Sequence, residues 1–483
     1  MSDIVIIYYP YNAAKENIVT MTSWSPTLAA GLPRYIAIAE SMHDDLLKGV
    51  LKPGDRLPTH RDLAYRLGVT TGTVTRAYAE AERMGILVGE VGRGSFLKEP
   101  ETKPPLFALV PRVPLSDIDL TQAAPPAVHD GQHLDWALRQ IMASPDRASL
   151  LDYAPPEGHA AHRAMGAAWL ARSGITVSPE HVIVTAGARA ALISCLAALS
   201  QNGERVFVEG LNYPTLRPIL RHLGLTQVPL ELDDDGLVPE SLERAARAGE
   251  ARTLYLEPTL QNPTTSTLPL ARRLAIVDIA RRYGITIIED DIFRLLDPRL
   301  QPPTLYTLAP ERTYHVNSIS KTLSPGLRVG FIATPPGMTE GVIRQQAAIG
   351  GNAAGLAAET ARHWIESGVA AKIIDAVIAE NAARRELALA IFRGRNFKSA
   401  PGATFIWLSL PDHWRPAEFT HAALAQGIRI TPGPAFAADR RANDQAVRIC
   451  YGGTVTREEL QVALLKLNTL LDEQHVEDYR TVA

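Results

Sequence analysis

The chain has 483 residues, of which 46% are hydrophobic and 21% charged, with 34 glycines and 35 prolines. That length calls for two or three domains, and that composition excludes a mostly disordered chain, a collagen and a coiled-coil rod. Lys and Arg number 49 against 52 Asp and Glu; this balance excludes nucleic-acid binding by global polybasic attraction but leaves room for one local basic module. The opening MSDIVIIYYPYNAAKENIVTMTSW lacks the basic start, long apolar core and small-residue cleavage site of a secretory signal. No apolar run approaches the length needed to span a membrane, so a cytoplasmic chain is expected. Residues 1–24 are read as an N-terminal extension; the first twenty fit nothing that follows, and translation is expected to start at Met21, which leaves residues 1–20 outside the native protein. Cys195 and Cys450 lie in apolar runs, LISCLAA and VRICYGG. They are read as buried thiols, too few for a disulfide framework or a zinc site.

Residues 25–98 form the first compact zone. Ile36, Ile38, Ala39, Met42, Leu46 and Leu47 make a helical apolar stripe, ended by Gly49 and Pro53-Gly54. Thr59-His60-Arg61-Asp62 has the form of a capping box and opens a short helix through Leu67. Gly68 makes a turn, Thr70 caps the next helix, and that helix runs over Thr71–Met84. Two helices across a short glycine turn read as helix-turn-helix. GILVGEVGRGSFL then reads as a hairpin with a Gly-Arg-Gly tip.

The run KPGDRLPTHRDLAYRLGVTTGTVTRAYAEAERMGILVGEVGRGSFL resembles the winged helix-turn-helix of GntR-type bacterial regulators. The physical reading agrees with it. Thr71, Thr73 and Arg76 lie on the exposed side of a recognition helix suited to a major groove. Arg61 starts a helix whose amides favour phosphate. Arg93, between glycines, can reach a minor groove. His60 stands where that family has Ser or Thr. Between residues 32 and 98 there are 10 basic and 8 acidic residues, so affinity for double-stranded promoter DNA depends on a few placed cations and on two copies of the module.

Residues 99–118 contain Pro100, Pro104, Pro105, Pro111 and Pro114. They read as a semi-rigid tether reaching on the order of 60 Å at about 3.1 Å per residue. From residue 119 to 483, β-branched runs alternate with Ala-rich helical stretches, as in HVIVTAG then ARAALISCLAAL. That alternation predicts a mostly parallel sheet covered on both faces.

The strongest chemical run is Ser318-Ile-Ser-Lys-Thr-Leu-Ser-Pro-Gly-Leu-Arg328. A lysine in a dry pocket can form a Schiff base with an aldehyde, while serines and an arginine hold a phosphate. The pairing suggests pyridoxal 5′-phosphate. Asp290, in the acidic end Ile287-Ile288-Glu289-Asp290-Asp291, can pair with a protonated pyridine nitrogen. Asn262, fixed by Pro263, can donate to a phenolic oxygen. Val184–Gly187 reads as a strand entering a helix whose amides bind phosphate. Tyr213 follows the RVFVEG strand, where its ring can stack on a cofactor. The blander readings are a strand-end cap for Asp290 and Asp291, a core aromatic for Tyr213 and a structural ion pair for Arg448. Asp233–Gly236 reads as an acidic turn, and His159 with His162 lacks a third metal ligand.

In combination these motifs resemble fold-type I aminotransferases of the aspartate aminotransferase group, over about residues 119–475. The resemblance implies Lys321 as the lysine that holds the cofactor's aldehyde, Asp290 at the pyridine nitrogen, Asn262 near the phenolic oxygen and Tyr213 on the ring. Ser318, Ser320, Arg328 and the amides of Gly187 and Ala188 would hold the phosphate. Tyr153 would reach a phosphate in the other subunit, making a shared homodimer site, and Arg448 would grip a carboxylate. Ile292 and Phe293 stand where relatives carry a tyrosine. Ala188-Arg189 replaces Ser/Thr-Gln, and Ala123-Ala124-Pro125 replaces Gly-x-Pro. These departures leave cofactor capture intact and argue against efficient turnover.

A DNA-reading head on an aminotransferase-like body is identified with the MocR subfamily of GntR regulators. The expected function is transcriptional regulation, with pyridoxal phosphate in the body sensing an amine or amino acid. Two alternatives stand beside it: an active pyridoxal-phosphate-dependent aminotransferase carrying a DNA-binding head, and a body without cofactor that serves only to dimerise.

Overall fold

The computed structural model describes residues 24, 26, 33–47, 50–52, 54–83, 86–90, 94–97, 117–128, 131–297, 302–439, 445–453 and 455–473. The chain forms two compact units, one within residues 1–109 and one within 110–483.

In the first unit, helices α1 (Arg34–Leu47), α2 (His60–Leu67) and α3 (Thr71–Arg83) precede an antiparallel hairpin of β1 (Leu87–Glu90) and β2 (Gly94–Leu97). Ile38, Met42, Leu63, Val74, Ala77, Leu87 and Leu97 close one buried core. Thr59 caps α2 by accepting the Asp62 amide at 3.2 Å. The capping box expected there is only half made, because the Asp62 carboxylate takes the Thr59 hydroxyl at 2.7 Å. Gly68, at φ 59°, supplies the left-handed turn. Trp24, placed in the extension by the sequence reading, is instead part of this core and donates to Asp45 Oδ2 at 2.8 Å. The rest of the extension, Met21 and the wing tip with Arg93 lie outside the described residues.

The tether lies outside them up to residue 116. Its last two residues belong to the body: Asp117 pairs with Arg429 at 3.2 Å, and Ile118–Asp119 pairs in parallel with Ile428–Arg429. The second unit is built on β3 (Val182–Thr185), β4 (Arg205–Glu209), β5 (Thr226–Leu230), β6 (Thr253–Leu256), β7 (Thr286–Asp290), β8 (Thr313–Ser318) and β9 (Gly330–Ala333), in the order β3-β9-β8-β7-β6-β4-β5. Only β9 runs against the others. Side chains alternate across the sheet. Ile288, Tyr255 and Val208 enter one core, with Leu192 and Cys195 of helix α4 (Ala188–Leu199). Ile287, Leu254 and Phe207 enter the other, with Ile276 and Ile279. Burial of each such side chain is worth about 1.5–3 kcal/mol, and both faces need cover, hence the near-continuous apolar strands.

A smaller antiparallel sheet, β10 (Phe397–Lys398), β11 (Phe405–Ser409), β12 (Thr431–Pro432) and β13 (Ala446–Cys450), packs on the helix Arg457–Leu470. Among the described residues, no helix is long and apolar enough to cross a membrane.

Candidate functional site

The parallel strands β3, β4, β6, β7 and β8 deliver their carboxyl ends to one cavity of about 430 Å³, the edge where open α/β sheets bind ligands. Its lining includes Ala188, Tyr213, Asn262, Asp290, Ser318, Ser320, Lys321, Arg328 and Arg448. The loops after five strands thus bring together residues spread over more than half of the body.

Lys321 sits in the tight turn that follows β8. Its Nζ donates to the Ala123 carbonyl at 2.6 Å and lies 5.7 Å from the centre of the Phe293 ring. Burial, aided by the nearby charge of Arg448, lowers its pKa to about 8. Near neutrality the uncharged, nucleophilic amine is therefore far more populated than in an ordinary lysine.

Asp290 closes β7 and is buried. Its Oδ2 accepts the Tyr255 hydroxyl at 3.0 Å, and its Oδ1 has no partner among the described residues. Burial raises its pKa to about 6, against the lowering effect of the Tyr255 hydrogen bond. Glu289 and Asp291, one residue either side, point to the opposite face. Glu289 accepts the amides of Leu305 and Tyr306 and lies 2.9 Å from His315 Nδ1; Asp291 lies 3.8 Å from Arg294. Glu289, Asp291 and His315 cluster closely enough to suggest a metal. Arg273 and Arg294 supply the balancing charge there, so the donor set is a buried ion-pair knot.

Arg448 is clamped. Nη1 donates to Asn262 Oδ1 at 2.8 Å, Nη2 donates to the Thr121 carbonyl, and the rings of Phe436 and Phe405 lie 4.8 and 5.6 Å away. Tyr213 holds its amide against Glu257 Oε1 at 3.2 Å, while its hydroxyl accepts from Arg189 at 3.2 Å.

At the start of α4, Gly187 adopts φ 88° just before the helix. A β-carbon there would meet Arg328 Nη2 at 2.8 Å; one on Gly330 would meet the Gly187 carbonyl carbon at 2.7 Å. Arg328 itself donates to the Ala186 carbonyl at 3.1 Å. The first amides of α4 have no intrahelical acceptors, so together with Arg328 they make a cradle suited to an anion. Ser318 Oγ lies 2.9 Å from Ser320 Oγ and accepts the Ser320 amide at 3.1 Å, which shapes the lysine turn.

The donor set fits pyridoxal phosphate: an amine of lowered pKa, a buried carboxylate with an unsatisfied oxygen, and an anion cradle with no room for a β-carbon. Tyr153 does not join them; in the single chain it is fully exposed.

Sequence reasoning missed what stands behind Asp290. Tyr255 shares its hydroxyl between Asp290 and Glu257 Oε1, the latter at 3.3 Å, and Glu209 Oε2 accepts the Glu257 amide at 2.9 Å. Burial pushes Glu209 up to about 8 and Glu257 well above the usual carboxylate range. The signal was the alternation in Thr253-Leu-Tyr255-Leu-Glu257, three polar residues at every second position along a buried strand and the residue that follows it.

In the head, Arg61, Thr71 and Arg76 are exposed and Thr73 half-buried. Thr73 and Arg76 line a groove of about 410 Å³ with Arg34, Tyr35, Thr70 and Gly72, so Arg34 joins the basic face. His60 lies 3.2 Å from Thr75 Oγ1 and edge-on to Tyr78, which ties α2 to α3.

Residues 126–467 match the aminotransferase class I and II family, and residues 34–97 match the gntR family of bacterial regulatory proteins. The HTH-type transcriptional regulator YdeF of Bacillus subtilis is 28% identical, over 93% of this chain and 97% of that one. The HTH-type pyridoxine biosynthesis transcriptional regulator PdxR of Corynebacterium glutamicum is 31% identical, over 62% and 65%. The α-aminoadipate aminotransferase LysN of Thermus thermophilus, solved with N-(5′-phosphopyridoxyl)-L-leucine, superposes with a TM-score of 0.68 at 24% identity, over 74% of this chain and 92% of that one. The chain belongs to the class I and II aminotransferase family, in the MocR-type arrangement that joins such a body to a GntR-family DNA-binding head.

Proposed function

We propose that this protein is a DNA-binding transcriptional regulator of the cytoplasm, and that its body binds pyridoxal 5′-phosphate and senses an amine or amino acid. The observation that carries the reading is the convergence of Lys321, Asp290, Asn262 and Arg328 on one cavity, in a chain that also bears a winged helix-turn-helix.

Bound there, pyridoxal phosphate supplies an aldehyde conjugated to an electron-withdrawing ring. Lys321 holds that aldehyde through Nζ. Asp290 takes the ring nitrogen on its free Oδ1, while Tyr255 fixes its other oxygen. Asn262 donates through its amide nitrogen, because Arg448 occupies its oxygen. Tyr213 covers the ring. Arg328, with the amides of Gly187 and Ala188 and the hydroxyls of Ser318 and Ser320, holds the phosphate. Arg448 receives an effector carboxylate, and its buried Nε still lacks a partner among the described residues. Ile292 and Phe293 line the cavity where a hydroxyl would help move protons, which favours sensing over turnover.

In the head, Arg61 takes phosphate, Thr71, Thr73 and Arg76 read the major groove, and Arg93 the minor groove. The exposed Tyr153 completes the site of a second copy, so the working form is a homodimer on paired half-sites. The tether over residues 99–116 joins the heads to the bodies. An effector favouring one arrangement of the body shifts DNA affinity by its difference in affinity between arrangements.

The test is reconstitution with pyridoxal phosphate. A visible absorption band that is absent in Lys321→Ala, and an amine-dependent change in promoter binding, are expected. A colourless wild-type protein sinks the sensory reading, and sustained multiple turnover with amino donors and keto acids sinks the regulatory one.

A further inference from the structure

The cavity holds more positive charge than the reading above uses. Lys321, Arg189, Arg328 and Arg448 line it, against two carboxyls, Asp290 and Glu257. Lys321 and Asp290 engage the aldehyde and ring nitrogen of the cofactor, its phosphate answers Arg328, and one effector carboxylate answers Arg448. Glu257 is turned into the protein, where Oε1 accepts the Tyr213 amide at 3.2 Å and the Tyr255 hydroxyl at 3.3 Å. Arg189 is left over.

Arg189 is the second residue of α4 and is exposed. Its guanidinium makes no ion pair with a carboxylate among the described residues. Its Nη2 donates to the Tyr213 hydroxyl at 3.2 Å. A guanidinium carries five N–H donors in a rigid fork, so this bond fixes one corner and leaves the rest for a ligand. An unpaired arginine tethered at the wall of a ligand cavity is suited to bidentate capture of a planar anion.

Resting on the cofactor-and-effector reading above, we infer that Arg189, steadied by Tyr213, receives a second anionic group of the effector. The effector class is then an amino acid with an acidic side chain, gripped by Arg448 at one carboxylate and by Arg189 at the other. A neutral amine or a monocarboxylic amino acid leaves Arg189 unanswered and binds more weakly.

The test uses the full-length protein loaded with pyridoxal phosphate. It is titrated with L-glutamate against L-glutamine and with L-aspartate against L-asparagine, followed by the visible spectrum and by the thermal transition. Acid and amide in each pair match in size and differ in charge. One charge-assisted bidentate contact at a wet site predicts a preference for the acid of about tenfold for at least one pair. Arg189→Gln is expected to bring that ratio to about one, Arg189→Lys to keep part of it, and both to retain the cofactor on dilution as the wild type does. Equal binding of acid and amide by the wild type overturns the inference, as does a preference that survives in Arg189→Gln. Rapid loss of cofactor from Arg189→Gln also overturns it, by making Arg189 a phosphate ligand. A wild type that takes up no pyridoxal phosphate overturns the underlying reading, whereas the other outcomes leave that reading standing.

Discussion

Arg448 donates to Asn262 Oδ1 at 2.8 Å, and this contact orients the asparagine amide. With Oδ1 turned to the guanidinium, the Nδ2 hydrogens are the donors the Asn262 side chain has left to offer. The same guanidinium lies 4.8 Å from the centre of the Phe436 ring and 5.6 Å from that of Phe405. Arg448→Met is expected to weaken a carboxylate-bearing effector by about 1.5–3 kcal/mol, roughly tenfold to a hundredfold. A simple amine without a carboxylate should lose far less. Spectral titration of the loaded protein with each decides the matter; equal losses would remove Arg448 from the effector's path.

The rate of cofactor uptake should rise with pH through about 8, because only the uncharged Lys321 amine attacks an aldehyde. Burial is the larger cause of the lowered pKa and the Arg448 charge the next. Removing that charge stabilises the ammonium, so Arg448→Met should move the midpoint upward, still short of the ordinary 10.5 because burial remains. Stopped-flow uptake over a pH series measures it. A downward shift contradicts the electrostatic account.

Glu209 carries a carboxyl that burial raises from 4.5 to about 8. Between those values the folded state holds a proton that the unfolded state has released. Stability therefore falls as pH rises from 4.5 to about 8. Glu209→Gln lacks this penalty. Its melting temperature relative to wild type should climb across that interval, read from the transition of the larger unit. A difference that stays flat with pH would show that Glu209 is ionised in the fold.

Gly330→Ala should loosen the anion cradle. Its new β-carbon would lie 2.7 Å from the Gly187 carbonyl carbon and 2.9 Å from the Ala188 nitrogen, so backbone has to move. Cofactor affinity should drop by about tenfold or more, the scale of one lost charge-assisted bond. Equilibrium dialysis measures it, with circular dichroism to confirm the fold. Unchanged affinity would mean that the amides of α4 do not touch the phosphate.

Arg61→Ala should weaken binding to every DNA sequence alike and lower the slope of log affinity against log salt by about one. Binding isotherms at several salt concentrations, on operator and on random duplex, test it. A loss confined to the operator would make Arg61 a base reader.

The head was legible because its punctuation is local. Thr59 and Thr70 as caps and Gly68 as the turn each act within four residues, and the structure uses all three. Lys321, Asp290 and Asn262 were legible because each closes or follows a strand with a recognisable run. Tyr255, Glu257 and Glu209 were not, since their importance arises from β6 lying between β7 and β4, a neighbour relation that no linear spacing reveals. Trp24 was misplaced for a similar reason: its partner, Asp45, is remote in sequence. The surplus of Arg189 becomes visible only when the cavity's charges are counted together.

Strand β7 ends in Glu289 and Asp290, Asp291 follows at once, and these three consecutive acids have two unrelated tasks. Slipping that strand by a single residue would turn Asp290 toward the arginine knot and present Glu289 or Asp291 to the cavity. Deletions and insertions between Thr286 and Asp291 should thus be the lesions this domain survives least, even where every side chain is kept. Variation in length among proteins built this way is expected to collect in the loops at the far edge of the sheet, where no parity has to be preserved.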